Sequence, residues 1–226
     1  MTQGDASTAE IATSCPAGNY ADRMTLPAWA TDPSMLLLTE EQYEALPDDV
    51  CRTIEVVYGH VVFLQAPTRE HSRIGRRLAA AVEGVRPESP CIEVDTEIDV
   101  RYSIKNAYAT SSGKTFTFRR PDVVVYECLP RGTKVQSDHV KLIVEIANSD
   151  SYERDGVDKR AEYANQRIPL YLVVIVDDDG RIRAIEEYRL DWSGRNYGQA
   201  HTHYGALDVE IVPGVRLTVS FEQLEN

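Results

Sequence analysis

The chain has 226 residues, 42% of them hydrophobic, which suits one globular domain with a sizeable core. Its 24 basic and 36 acidic residues give a net charge of −12, which argues against long-range attraction to nucleic acid or an anionic membrane. The longest apolar run, Leu170 to Val176, has the length of a strand, so no membrane-spanning helix and no membrane partner are expected. The charge is uneven, however: residues 1–50 hold nine acids and one arginine, residues 51–226 hold 27 acids and 23 bases. A local basic face stays compatible with the total. The N-terminus has no basic start followed by an apolar segment, so no secretory signal is expected. Cys15, Cys51, Cys91 and Cys128 lie 36 to 40 residues apart and read as reduced thiols in a cytoplasmic protein.

Residues 1–34, rich in Ala, Thr, Ser, Pro, Gly and Asp, read as a flexible acidic tail, and 35–226 as a single domain. Thr39 is a good N-cap for a short helix stopped by Pro47. Arg52–Tyr58 and His60–Gln65 flank Gly59 as a β-hairpin. From Thr68, His71, Ile74, Leu78 and Val82 recur at helical spacing, predicting an amphipathic helix of about four turns ended by Pro87 and Pro90. Ile92–Tyr102 reads as one strand, 103–119 as a hairpin excursion, and Pro121–Tyr126 and Val140–Ala147 as strands. A helix over Ser151–Gln166 leads to a buried strand, Pro169–Val176. Two strands separated by a crossover helix should be parallel. After the turn Asp177–Gly180, Arg183–Leu190 and Arg195–Tyr204 pair antiparallel, and 207–219 close the sheet. The fold class is α/β (α+β): a mixed central sheet flanked by helices, with an additional antiparallel C-terminal part.

Chemistry is suggested by charges in costly places. Asp122 opens an apolar strand, and Glu145 interrupts Leu142-Ile143-Val144-Glu145-Ile146-Ala147. A carboxylate there costs several kcal/mol in order of magnitude unless it is paired or binds a cation. Lys159 lies one turn after Asp155 and one turn before Tyr163 on one helix face. Two carboxylates at adjacent strand ends can share Mg²⁺, which otherwise keeps water or phosphate oxygens. A nearby ammonium can offset charge on a phosphoryl transition state. The pattern equally admits a plainer reading, with Asp122 starting a turn and Glu145 paired with Lys159 as a structural ion pair.

Several stretches together resemble the Uma-type family of endonucleases, bacterial proteins related to the PD-(D/E)xK restriction-endonuclease superfamily. They are Glu55-Val56-Val57-Tyr58-Gly59-His60-Val61, Ala66-Pro67-Thr68-Arg69-Glu70-His71-Ser72-Arg73-Ile74, Pro121-Asp122-Val123-Val124-Val125 and Leu142-Ile143-Val144-Glu145-Ile146. Asp155–Ala164, Ile168–Val174, Glu186–Leu190 and Pro213–Leu217 continue the likeness, in order, from about residue 36 to the end. The resemblance implies a restriction-endonuclease-like core with Asp122 and Glu145 as the two acids. The superfamily's usual lysine position, two residues after the second acid, is Ala147 here, and Lys159 matches the family's lysine on the following helix. Glu55 matches an early acid and a third metal carboxylate. The resemblance further implies Mg²⁺ (or Mn²⁺), a nucleic-acid substrate, DNA in the first instance, and a homodimer. The sequence departs from the family pattern at Asn148-Ser149-Asp150, at Tyr58 in the hairpin turn, and in the extra residues 103–119. A catalytically inactive nuclease-fold module that binds nucleic acid or protein is the alternative function.

The remaining candidates are supporting ones. His71 sits on an apolar helix face, where a core histidine is the commoner outcome and a substrate role the sharper one. Arg73, with Arg69, Arg76 and Arg77, offers phosphate contacts or simply a solvated face. Asp155 and Tyr163 are expected to support Lys159. His201 and His203 point to one face of a late strand, more in keeping with surface residues than with a metal site. Glu186 and Glu187 occupy opposite faces of a strand and need no function.

Overall fold

The structure is a computed structural model that describes residues 36–104, 116–148 and 159–226. The tail assigned to 1–34, most of the excursion assigned to 103–119, and Asp155 with the first half of its helix lie outside those residues.

The chain opens with two short helices, α1 (Glu40–Glu44) and α2 (Asp48–Cys51). Thr39 caps α1 through a reciprocal capping box with Gln42. Strands β1 (Ile54–Val57) and β2 (His60–Phe63) form the expected hairpin. Its two-residue turn, Tyr58 and Gly59, has φ of 51° and 83°, the positive values that a type I′ turn requires. Helix α3 (Arg69–Val85) starts at Thr68, whose hydroxyl accepts from His71 N–H, and buries Ile74, Leu78 and Val82.

Strands β3 (Ile92–Asp95), β6 (Val123–Glu127), β7 (Val140–Asn148), β8 (Leu170–Val176), β9 (Ile182–Leu190) and β10 (Tyr197–His203) form a six-stranded sheet in the order β10-β9-β8-β7-β6-β3. β7 and β8 are its parallel neighbours, as the crossover predicts, and the helical residues 159–165 between them are α4. Both faces of this sheet are covered, which is why β6, β7 and β8 read as continuous apolar runs. Val144 and Ile146 pack toward α3, while Ile143 and Tyr171 pack with Tyr163 of α4. Glu145, between Val144 and Ile146, therefore shares the face of Ile143.

Three expectations are corrected. The strand read over Ile92–Tyr102 is two strands: β3 in the large sheet, and β4 (Val100–Arg101) in a four-stranded sheet of order β2-β1-β5-β4 with β5 (Phe118–Arg119). The chain turns between them at Glu97, whose φ is 55°. Residues 207–219 do not close the sheet. They form a separate hairpin, β11 (Ala206–Val212) with β12 (Val215–Ser220). Its apolar face (Leu207, Val209, Leu217, Val219) joins the core under α3, together with the terminal helix α5 (Phe221–Glu225). Finally, Cys91 and Cys128 are not free thiols but a disulfide. They flank the antiparallel pair β3–β6, where Ile92 faces Glu127, so the two cysteines face each other with Cα atoms 5.5 Å apart. Cys51 is a free thiol. No helix among the described residues is long and apolar enough to cross a membrane.

Candidate active site

A cleft of about 1170 Å³ is lined by Glu55, His71, Arg119, Asp122, Glu145 and Lys159, with the turn Asp177–Gly180 on its rim. The structure thus brings together residues that lie up to 104 positions apart, counted from Glu55 to Lys159.

Asp122 stands one residue before β6 and is anchored at both oxygens. Oδ2 accepts the Ile146 N–H at 2.6 Å, and Oδ1 lies 2.8 Å from His71 Nε2. The Thr68 cap fixes the first turn of α3 and so delivers His71 to this place. Burial works against an imidazolium at His71, but the hydrogen bond and charge of Asp122, with Glu145 and Glu97, outweigh it and raise its pKa above the usual histidine value.

Glu145 is 8% exposed. Lys159 Nζ donates to its Oε2 at 2.8 Å, and the Tyr163 hydroxyl donates to its Oε1 at 2.6 Å. Burial pushes the Glu145 carboxyl up, the Lys159 ammonium opposes this, and the carboxylates of Asp122 and Glu55 add to the rise. Burial likewise disfavours the Lys159 ammonium, yet Glu145 and Glu55 more than compensate, and its pKa is raised. Lys159 is therefore a fixed positive charge at neutral pH rather than a proton acceptor. Tyr163, pushed well up by burial and by Glu145, remains a hydroxyl donor.

Glu55 on β1 is 1% exposed, and both its oxygens are engaged. Arg119 NH1 donates to Oε2 and the Arg120 N–H to Oε1, each at 2.8 Å. Arg119 also grips Glu162 of α4 through Nε and NH2, at 2.8 and 2.7 Å. Sequence reading missed Arg119, Arg120 and Glu162. The available signal was two arginines directly before the Pro-Asp pair, facing an acid three residues beyond Lys159.

Among the described residues no three His, Cys, Asp or Glu side chains group as a ready metal cage. Mg²⁺ does not require one, because it takes one or two carboxylates and keeps waters. Asp122 and Glu145 fit that demand: hard oxygen donors on one cleft, each oxygen accepting one hydrogen bond and retaining a second lone pair.

The other candidates go elsewhere. Arg73 does not line the cleft; its NH1 donates to the Glu225 carbonyl of α5 at 3.2 Å, and Arg77 NH1 donates to Gln223 O at 3.3 Å. Arg69 is exposed beside Glu70, and Arg76 is exposed. His203 is not a surface residue: it is 7% exposed, with Nε2 3.0 Å from Glu187 Oε2. His201 is exposed, its ring 4.8 Å from that of His203. Glu187 also accepts from Arg189 Nε at 2.5 Å, so a strand acid expected to need no role bridges an arginine and a buried histidine.

Over residues 40–220 the chain matches the model of the family Uma2, described as "Putative restriction endonuclease". Among solved structures it is similar to that of "a putative nuclease belonging to DUF820" from Anabaena variabilis ATCC 29413. That likeness has a TM-score of 0.52 at 16% sequence identity, and covers 83% of this chain and 97% of the other. At that identity it speaks to the fold, which is restriction-endonuclease-like. No curated protein matches the chain.

Proposed function

We propose that this chain, which belongs to the Uma2 family of restriction-endonuclease-like nucleases, is a Mg²⁺- or Mn²⁺-dependent endonuclease that hydrolyses phosphodiester bonds in DNA. One observation carries the reading: Asp122 and Glu145, each oriented by two donors, share a cleft with an ammonium held on Glu145. Asp122 and Glu145 would hold the cation. Bound there, it supplies Lewis acidity at the phosphate oxygens and neutralises their charge.

The chain's own residues do the rest. His71 and the Ile146 N–H fix the rotamer of Asp122. Tyr163 and Lys159 fix that of Glu145, so neither carboxylate has to reorganise on binding. Lys159, protonated by virtue of its carboxylate neighbours, aims a positive charge at the place where negative charge grows on the phosphoryl oxygens. The Tyr163–Glu145 bond keeps that ammonium from being the only donor to a buried acid.

The test is calorimetry with Mg²⁺ and Mn²⁺ followed by cleavage assays on DNA and RNA. Wild type should bind metal and cut; Asp122→Asn with Glu145→Gln should lose both. Lys159→Ala should lose about 10²–10³-fold in cleavage with its circular dichroism unchanged. Full cleavage by Lys159→Ala would remove its assigned role. The family likeness also supports a homodimer, which light scattering at several concentrations tests.

A second reading, a nuclease-fold module that binds without cutting, is favoured by one observation: every oxygen of Asp122, Glu145 and Glu55 already has a protein partner. It predicts nucleic-acid binding indifferent to divalent cations.

A further inference from the structure

Glu55, Arg119 and Glu162 form a chain of charges that links three elements. Glu55 is on β1 and Arg119 on β5, neighbours in the four-stranded sheet. Glu162 is on α4, which follows β7 of the six-stranded sheet. The side chains of Glu55, Arg119 and Glu162 are 2%, 9% and 12% exposed. The guanidinium meets Glu162 through two parallel bonds, a rigid fork that sets direction as well as distance. Its remaining arm goes to Glu55, whose other oxygen is closed by the Arg120 N–H.

Position on the helix gives this chain of charges its consequence. Lys159, Glu162 and Tyr163 of α4 and Gln166 just past its end lie at spacings of three and four, on one stripe. Lys159 and Tyr163 address Glu145. Glu162 is held by Arg119 and by the Tyr102 hydroxyl at 2.9 Å. Gln166 exchanges bonds with Ile104 and accepts from Ser137. The rotation of α4 about its axis, and with it the aim of Lys159, is therefore set on one side by Glu145 and on the other by Arg119.

We propose that Arg119 is a positioning residue that locks the Lys159 helix in register with the catalytic carboxylate, and that Glu55 serves this strut instead of ligating a cation. Its activity arm rests on the nuclease reading; its structural arm does not. A strut of this kind needs the fork. Lysine at 119 keeps the charge but presents a single point donor.

Arg119→Lys, Glu162→Gln and Glu55→Gln are compared with wild type by hydrogen exchange at the amides of 159–165, by calorimetry with Mn²⁺, and by kcat and KM on DNA. For each variant the strut predicts exchange in α4 faster by about tenfold or more. It predicts that Mn²⁺ is still bound, weaker by no more than about tenfold, because no ligand is lost and Tyr163 still orients Glu145. It predicts kcat lower by about 10- to 100-fold with KM little changed, because the lysine is misplaced while the cleft remains. Restoring the fork partner tells the same story from the other side: Glu162→Asp, which keeps the charge, should recover part of kcat where Glu162→Gln does not. Loss of Mn²⁺ binding in Glu55→Gln with α4 exchange unchanged would make Glu55 a ligand and overturn the proposal. Unchanged exchange in all three variants would overturn it as well. If Arg119→Lys does not fold, Glu162→Gln carries the comparison. If wild type cuts nothing, the nuclease reading fails, and the exchange and Mn²⁺ measurements still decide the strut.

Discussion

His71 Nε2 lies 2.8 Å from Asp122 Oδ1, so a helix and a strand start 51 residues apart share one hydrogen bond at the rim of the cleft. Such a bond orients a carboxylate that would otherwise sample several rotamers, and losing an orienting partner typically costs about 10–100-fold in metal affinity or activity. His71→Ala should therefore weaken Mn²⁺ binding and cleavage by about that factor without abolishing either. His71→Gln, which can still donate, should fall between. Calorimetry and initial rates on the three proteins check this, and wild-type values for His71→Ala would reduce the pair to a structural contact.

Glu145 gives the pH dependence its sign. Its carboxyl titrates above the ordinary 4.5 because it is buried and sits near Asp122 and Glu55. The folded state then binds its proton more tightly than the unfolded chain. That contribution to stability is full below about pH 4.5 and is lost as pH rises through the raised value. A divalent cation needs the deprotonated form, so it competes with that proton. The rise in melting temperature on adding Mn²⁺ should accordingly be larger at pH 8 than at pH 5. In Glu145→Gln this difference should shrink. Thermal melts at the two pH values with and without metal decide it, and an equal shift at both would contradict the competition.

Periodicity makes the half of the fold that carries Glu145 and Lys159 readable and conceals the contacts of Arg119. β7 and β8 announce themselves as apolar runs flanking a helix, so their parallel pairing, the burial of Glu145 and the placing of Lys159 follow from periodicity and connection rules. The single strand expected over Ile92–Tyr102 is two strands because residue types keep alternating through Thr96–Asp99 while the backbone turns at Glu97. Asp99 is needed at that bend, where it accepts from Tyr43 at 2.6 Å and from Arg120 Nε at 3.0 Å. Arg119 and Arg120 look equivalent in sequence. Strand alternation sends one to Glu55 and Glu162 and the other to Asp99, and that division depends on which elements stand on either side. Arg73 was legible only as a cation on a helix. Its partner, the Glu225 carbonyl, is 152 residues away.

The Cys91–Cys128 disulfide is a consequence of register that sequence spacing cannot supply, and it makes stability sensitive to reductant. It closes a loop of 37 residues between β3 and β6, which in chain-entropy terms is worth about 2–4 kcal/mol. For a domain of this size that corresponds to a fall in melting temperature of roughly 5–15 °C on reduction. Alkylation of the unfolded protein without reductant should leave the Cys91 and Cys128 peptides unlabelled, whereas Cys51 should label. Labelling at all of them, with a melting temperature indifferent to dithiothreitol, would show that the bond does not form in solution.

Tyr163 separates the packing of the α4 helix from its chemistry. Its ring packs edge-on against Tyr171, with centroids 5.3 Å apart, and its hydroxyl is the second donor to Glu145. Tyr163→Phe keeps the ring and deletes the donor, leaving Oε1 of a buried carboxylate without that partner. The loss of a hydrogen bond to a charged group is worth about 1.5–3 kcal/mol. The destabilisation should fall toward the low end below the Glu145 pKa, where the protonated acid needs the donor less, and grow as pH rises through it. Urea melts of wild type and Tyr163→Phe at pH 5 and pH 8 measure this directly. A pH-independent difference would mean that the hydroxyl contributes packing alone and that Lys159 by itself satisfies Glu145.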